Sequence, residues 1–373
     1  MDNPANYEIS TVLPYTAVAT IDIGAIVANY KTLAQRVAPI ECAAVIKANA
    51  YGMGAEKVAP ALYQVGCRIF FVAQINEALQ LKNILPPNTI LAILNDFPPQ
   101  TEEWVAQAGI VPVLNSWQTI ERWQTLCQKK KQRFPAIIQI DTNMNRLGLN
   151  QEELHLLIKR PLIFEKATIK YIISHLSSGD NVAHPSNNNQ LAVMQNLLTQ
   201  LPPCKASLAN SGGIFLDSAF HFDLVRPGIT LYGINPHDKH QTFLKPVLKL
   251  EAQVIQSRFV DSGASVGYGG SFVTNRPSIL TTIAIGYADG WPYSLSNRGS
   301  VYFKEHRLPI VGKVSMDSTI VDATDLEHKK PERGDWVELI GRHQRIEDIA
   351  VDANTIPYEI LTSLGARCKR IYI

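Results

Sequence analysis

Cysteine is scarce in this 373-residue chain, and the little there is forms no recognisable pattern. Cys42, Cys67, Cys127, Cys204 and Cys368 are scattered, odd in number and contain no C-x-x-C pair. That argues against a zinc site or a disulfide framework and suits a reducing cytosol. Charge of one sign is missing too. The formal net charge is only +2, so no basic field for nucleic acid is implied. The one basic cluster, Lys129-Lys130-Lys131 with Arg133, ends a predicted helix and reads as a solvated face. No apolar run approaches the length of a membrane span, and Met1-Asp2-Asn3-Pro4 does not open a secretory signal. A G-x-G-x-x-G turn is also absent, which weakens the case for a doubly wound dinucleotide-binding sheet.

What is present has the balance of a soluble globular enzyme: 46% hydrophobic and 18% charged residues, with length enough for two or three domains. From the start to about residue 235, strand-like and helix-like patterns alternate. An entry segment at 18–23 leads to Asp22 as a helix cap, with Val27, Tyr30, Leu33 and Val37 at helical spacing. Apolar runs follow at 42–46, 69–73, 90–94, 111–114, 136–140, 170–174, 206–209 and 222–225, with helical stretches between most of them. Eight repeats of strand and helix predict an α/β fold, an N-terminal (β/α)8 TIM barrel spanning residues 1–243. Beyond it helical periodicity fades into short strands broken by turn clusters, predicting a smaller C-terminal mostly-β domain over 244–373.

One lysine organises the barrel. The apolar run from Cys42 ends abruptly at Lys47, within Val45-Ile46-Lys47-Ala48-Asn49-Ala50-Tyr51-Gly52. A lysine at the carboxyl end of a barrel strand sits where such folds place their chemistry, and partial desolvation there favours the neutral, Schiff-base-forming amine. It could equally snorkel into water, so the other strand ends have to decide. They deliver Asn95, Asn115, Asp141, His175, Asn210-Ser211 and Arg226. Asparagine after a strand is an ordinary turn residue, and a lone histidine is more often structural. Lysine, histidine and arginine converging on one mouth are harder to dismiss.

Two stretches near the end of the barrel suit an anion: Asn210-Ser211-Gly212-Gly213 after strand seven and Arg226-Pro227-Gly228-Ile229 after strand eight. Small residues let backbone N–H groups approach a phosphate, and barrels commonly bind phosphate after these strands. A Schiff-base lysine beside a phosphate cradle points to pyridoxal 5'-phosphate.

Together with Asp141-Thr142, Met144, Arg146-Leu147-Gly148, Ser174-His175, Gly267-Tyr268-Gly269, Gly286-Tyr287-Ala288-Asp289-Gly290 and Met316-Asp317, these motifs resemble the alanine racemases over nearly the whole chain. The resemblance implies that Lys47 carries the pyridoxal phosphate and acts as one catalytic base, serving D-alanine, while Tyr268 is the other and serves L-alanine. Two bases suit the chemistry, because a proton must leave one face of Cα and return to the other. Arg226 matches the partner of the pyridine nitrogen. An arginine donates there without yielding its proton, which keeps the ring a weak electron sink and restrains transamination. His175 matches a residue that hydrogen-bonds this arginine. Tyr51, Asn210, Ser211, Gly228, Ile229 and Tyr358 match cofactor-binding positions, most of them at the phosphate. Arg146 matches a donor to the cofactor's phenolic oxygen and the substrate carboxylate, and the Met316 amide a second substrate ligand. Tyr287, Asp317 and Tyr358 would narrow the entrance around a small side chain.

The same resemblance implies a homodimer with shared active sites, no nucleic-acid or membrane partner, a cytoplasmic location, and supply of D-alanine for peptidoglycan. Two departures stand out. Met53 replaces a usual histidine. Gln139 replaces a lysine that many members carry in carbamylated form beside the arginine matched by Arg146, so the amide or a small anion is expected to orient Arg146. Racemisation of serine or another small amino acid, a barrel-type decarboxylase, and a non-catalytic pyridoxal phosphate carrier remain as alternatives. The last is disfavoured by the presence of residues 244–373.

Overall fold

A computed structural model describes residues 15–237 and 243–373. Met1–Pro4, read above for targeting, lie outside the described residues. The chain divides into two compact units, one holding residues 22–247 with Ile373, the other residues up to 21 and 248–372.

The first unit is a parallel barrel. Its strands are Glu41–Cys42 resumed at Ala44–Val45, then Ile69–Val72, Ile90–Ile93, Val111–Leu114, Pro135–Gln139, Thr168–Ile173, Ala206–Ser207 and Leu224–Val225. Seven of the eight form a continuous ladder in sequence order. The eighth closes the ring: Arg226 N donates to Ala209 O at 2.9 Å, and Leu224–Val225 pairs in parallel with Glu41–Cys42. Such strands are buried on both faces and therefore read as unbroken apolar runs, as at Ile69–Val72 and Val111–Leu114.

Helices cover the outside for local reasons. Asp22 caps Ile23–Val37, its Oδ1 accepting from Ala25 N at 2.7 Å, and Tyr30, Leu33 and Val37 are buried as their spacing requires. Ser116 caps Trp117–Lys130 and Asn150 caps Gln151–Lys159. The cluster at 129–131 is exposed in its helix's last turn and beyond, where cations complement the helix dipole. After the seventh strand the short 3-10 turns Gly213–Phe215 and Ser218–Phe220 form, and after the eighth the 3-10 turn Ile229–Tyr232.

The second unit is built on an eight-stranded sheet. Its longest strand, Leu248–Val260, changes partners at a bulge near Val254–Gln256: the first half pairs with Ala17–Ile21 and Trp336–Ile340, the second with Ser278–Ile283. The entry segment therefore belongs to the β unit, unlike the expected division at 243/244 that gave residues 1–243 to the barrel. Ala17–Ile21 is held between Leu248–Val260 and Lys369–Tyr372, and no barrel strand pairs with it. Among the described residues, no helix is long and apolar enough to cross a membrane.

Candidate active site

The barrel mouth is built from strand ends. A cavity of about 260 Å3 there is lined by Lys47, Ala73, Leu94, Asn95, Gln139, Arg146, Leu147, Ile173, His175 and Arg226. Lys47, Arg146, His175 and Arg226, drawn from four separate stretches of sequence, thus share one space.

Lys47 leaves the first strand into an unusual turn. Ala48, Asn49, Ala50 and Tyr51 all have φ between 51° and 55°, one turn of left-handed helix closed by Ala50 N to Ile46 O at 2.8 Å and Gly52 N to Ala48 O at 2.8 Å. Each such residue costs about 1–2 kcal/mol for an L-amino acid, so the surroundings must enforce the turn. The Asn49 carboxamide does part of this, accepting from Ala55 N at 2.8 Å. The Lys47 amine is pushed below its ordinary pKa, first by burial and then by the Arg146 charge, with Glu77 opposing.

Arg226 is buried, and burial lowers its pKa to about 10, which leaves it charged at neutral pH. Its guanidinium donates to Ser207 Oγ and to the carbonyl of Ser174. His175 lines the same cavity, and its pKa falls to about 3 through burial, then the charges of Arg226, Arg146 and Lys47. The ring is therefore neutral. The expected hydrogen bond between His175 and Arg226 is not among those of the described residues. The Arg226 Nη groups donate to Ser207 Oγ and to the Ser174 and Leu208 carbonyls, which leaves further N–H donors of the guanidinium unused.

Arg146 crowns a loop that folds back on its own strand. Leu149 N donates to Gln139 O and Asp141 N to Leu149 O, and the Asp141 carboxylate accepts from the amides of Met144 and Asn145. Gly148 has φ +104°, and a Cβ there would lie 2.8 Å from the Ile140 carbonyl carbon, so only glycine fits the return. Gln139, buried beneath, donates to Leu147 O at 3.1 Å. It ties down the loop that carries Arg146 rather than bonding to the guanidinium.

The anion cradle takes shape at the other side of the mouth. Ser211 Oγ accepts from Gly228 N at 2.8 Å and Thr230 Oγ1 at 3.2 Å, joining the turns after strands seven and eight. The Ser211 and Ile229 amides donate to no described residue. A Cβ on Gly228 would overlap the Tyr51 hydroxyl, and the Tyr51 ring packs on Tyr232 with centroids 4.7 Å apart. Asn210 braces the loop, accepting from Gly213 N at 3.0 Å and donating to Leu176 O at 3.3 Å. A Cβ on Gly212 would overlap the Gly179 carbonyl. Two unused amides, a phenol pressed against a glycine and a desolvated amine in the neighbouring cavity fit a phosphorylated aldehyde.

The remaining candidates lie in the β unit. Tyr268 is 71% exposed on a 3-10 turn between the strands Ser265–Val266 and Phe272–Val273, with Gly267 and Gly269 at φ +68°. Tyr287, Met316, Asp317 and Tyr358 are knit together. Tyr287 N donates to Ser315 O and Ala288 N to Met316 O, both at 3.0 Å. Arg367 bridges Asp289 and Asp317, and a Cβ on Gly290 would overlap Ser363 O, at the end of the helix Pro357–Ser363 that carries Tyr358. The Met316 amide donates to no described residue. Sequence reasoning overlooked Glu77, Ser207 and Thr230, named Ser174 only as part of the Ser174-His175 motif, and gave Asn95 little weight. Glu77 reads locally as no more than a helix-capping glutamate, and the partners that matter for Ser174, Ser207 and Thr230 lie well away in sequence.

A larger cavity, about 590 Å3, is lined by residues at the opposite ends of the strands, among them Glu41, Arg68, Ile90, Thr168 and Lys205. Three of its four charged side chains are already engaged: Lys205 pairs with Glu41, and Arg68 donates to the Tyr63 and Cys67 carbonyls, while Lys170 also lines the cavity.

A (β/α)8 barrel with a desolvated lysine, a buried arginine and a phosphate cradle at one mouth defines the class of barrel-type pyridoxal phosphate enzymes. The alanine racemase N-terminal domain model matches residues 21–236 and the C-terminal domain model residues 247–372. The chain belongs to the alanine racemase family. It is 49% identical to the alanine racemase of Brucella ovis over 95% of this chain and 93% of that one. It is 47% identical to the catabolic alanine racemase of Rhizobium johnstonii, over 96% and 95%. The crystal structure of alanine racemase from Bartonella henselae with covalently bound pyridoxal phosphate superposes with a TM-score of 0.95, at 69% identity, over 96% of this chain and 100% of that one.

Proposed function

We propose that the chain interconverts L- and D-alanine with pyridoxal phosphate held at the barrel mouth. The observation that carries this reading is the convergence of a desolvated Lys47 amine with Arg146, neutral His175 and Arg226 in one cavity. Lys47 would hold the cofactor through its Nζ. Tyr51, Ser211 and the amides around Gly228 and Ile229 would hold the phosphate, with Tyr358 beside them. When bound, the cofactor makes the Cα proton of the amino acid removable by delocalising the electron pair left behind.

The protein's own groups do the rest. Arg226, which keeps its proton, would donate to the ring nitrogen without protonating it, which would favour return of the proton at Cα. Arg146, on its braced loop, and the Met316 amide orient the substrate carboxylate. The Lys47 amine moves the proton on one face of Cα and the Tyr268 phenol on the other. Tyr287, Asp317 and Tyr358 narrow the approach, favouring a methyl side chain. We place Tyr268 and Met316 in the site of the partner in a homodimer, and the enzyme in the cytosol, where five unpaired cysteines are at home. D-alanine for peptidoglycan is the product the cell would use.

The test uses the full chain loaded with pyridoxal phosphate. L-alanine should lose optical activity while releasing no carbon dioxide, L-serine should turn over more slowly, and borohydride should fix the cofactor to Lys47. Racemisation that persists in Lys47→Ala would overturn the assignment.

A further inference from the structure

Glu77 lies in the first turn of the helix Ile75–Lys82, three residues beyond the capping position. A glutamate there ordinarily accepts the N–H of the cap residue, and one carboxylate oxygen does so. Oε2 accepts from Gln74 N at 3.0 Å and from Ala73 N at 2.8 Å. The other oxygen does something no helix cap requires. Oε1 accepts from the amides of Ala48 and Asn49, the two residues that follow Lys47 and lie nearly thirty positions away in sequence. One carboxylate thus spans two loops at the barrel mouth and uses its full acceptor capacity.

The loop it grips is the left-handed turn. The alanine side chains of Ala48 and Ala50 offer no hydrogen bond that would favour φ near +50°, and the first two amides of that turn would otherwise need water. A carboxylate is well matched to them, since a charged acceptor binds N–H groups more strongly than a neutral one.

We propose that Glu77 is a positioning residue for Lys47: its carboxylate locks the left-handed turn that sets the direction and charge environment of the catalytic amine. This rests on the assignment of Lys47 as the cofactor lysine. Two charges bear on the Lys47 amine: Arg146, which lowers its proton affinity, and Glu77, which raises it. Arg226 and the neutral His175 share the cavity with Lys47, while Glu77 acts from outside its lining, through the turn. Removing the Glu77 charge lowers the amine's proton affinity further. Removing its reach frees the turn.

Two variants separate these effects. Glu77→Gln removes the charge and two of the four acceptor positions, while Glu77→Asp keeps the charge and shortens the arm by one methylene. In the full chain, Lys47 acylation against pH, read by mass spectrometry before cofactor loading, reports the amine. Amide hydrogen exchange over residues 47–52 reports the turn, and kcat and KM are measured on the loaded enzyme. Glu77→Gln should shift the Lys47 labelling curve to lower pH. Both variants should speed exchange over 47–52 at least tenfold and lower kcat about ten- to a hundredfold with KM little changed, the scale expected when a reacting group is displaced by about 1 Å.

Unchanged labelling and exchange in Glu77→Gln, with only a lower melting temperature, would reduce Glu77 to a helix cap and overturn the proposal. So would loss of fold in both variants. Wild-type protein that takes no cofactor on Lys47 would instead overturn the underlying assignment.

Discussion

In the proposed mechanism Lys47 and Tyr268 do mirror-image work, and their settings differ. Lys47 is walled in at a strand end, where burial and a neighbouring arginine favour the neutral amine. Tyr268 sits exposed on a glycine-flanked turn, with Lys313 Nζ close to Gly269. Loss of one base should therefore leave half of the exchange chemistry running. In deuterated water, Tyr268→Phe is expected to stop interconversion by about a hundredfold or more while D-alanine still takes up deuterium at Cα through Lys47. Proton NMR of each enantiomer reads this directly, and equal loss of uptake from both would show that Tyr268 does not act on a single face. Arg226 was legible from Val225-Arg226-Pro227-Gly228, because the residue and its glycine lie together in the chain. Its anchor Ser207 was not, and Ser174 was noted only beside His175, because neither pairs with Arg226 until the barrel closes.

Elements rather than residues decide how firmly Arg146 is held. The stretch 141–149 leaves the fifth strand, turns over the Asp141 carboxylate and pairs back onto the backbone of Gln139 and Asp141. The sequence announced the loop through Arg146-Leu147-Gly148 but not its closure, which rests on Gly148 having no side chain against Ile140. Gly148→Ala should destabilise the fold by about 1–3 kcal/mol, through positive φ and overlap with backbone. It should also raise the KM for alanine more than it lowers kcat, because the carboxylate anchor moves while the bases stay. Thermal unfolding and steady-state kinetics check both, and a variant with normal KM would detach Arg146 from substrate binding. The barrel strands were readable as apolar runs of four or five residues, whereas the membership of Ala17–Ile21 was not. Its partners, Leu248–Ala252 and Lys369–Tyr372, lie more than two hundred residues away. Only pairing, not local pattern, assigns it to the β unit.

At the scale of the whole molecule, stability and activity meet in the charges of the mouth. His175 is held neutral down to about pH 3, against an ordinary value of 6.5. Below 6.5 the unfolded chain binds a proton that the folded chain refuses, so this contribution is complete above 6.5 and fades as pH falls toward 3. The melting temperature should therefore drop more steeply with acid in the wild type than in His175→Asn, and parallel curves would rule the effect out. Shared active sites make a sharper demand. In the proposed homodimer each mouth takes Lys47 from one protomer and Tyr268 from the other, so Lys47→Ala and Tyr268→Phe homodimers are both inactive. Mixing them and allowing subunits to exchange gives heterodimers as half of all dimers. In each heterodimer one mouth collects both lesions, and the other is left with an intact lysine and an intact tyrosine. Activity should return to about a quarter of the wild-type level. If both bases came from the same protomer, every mouth in the mixture would carry one lesion and no activity would return. That distinction needs only a rate measured before and after exchange.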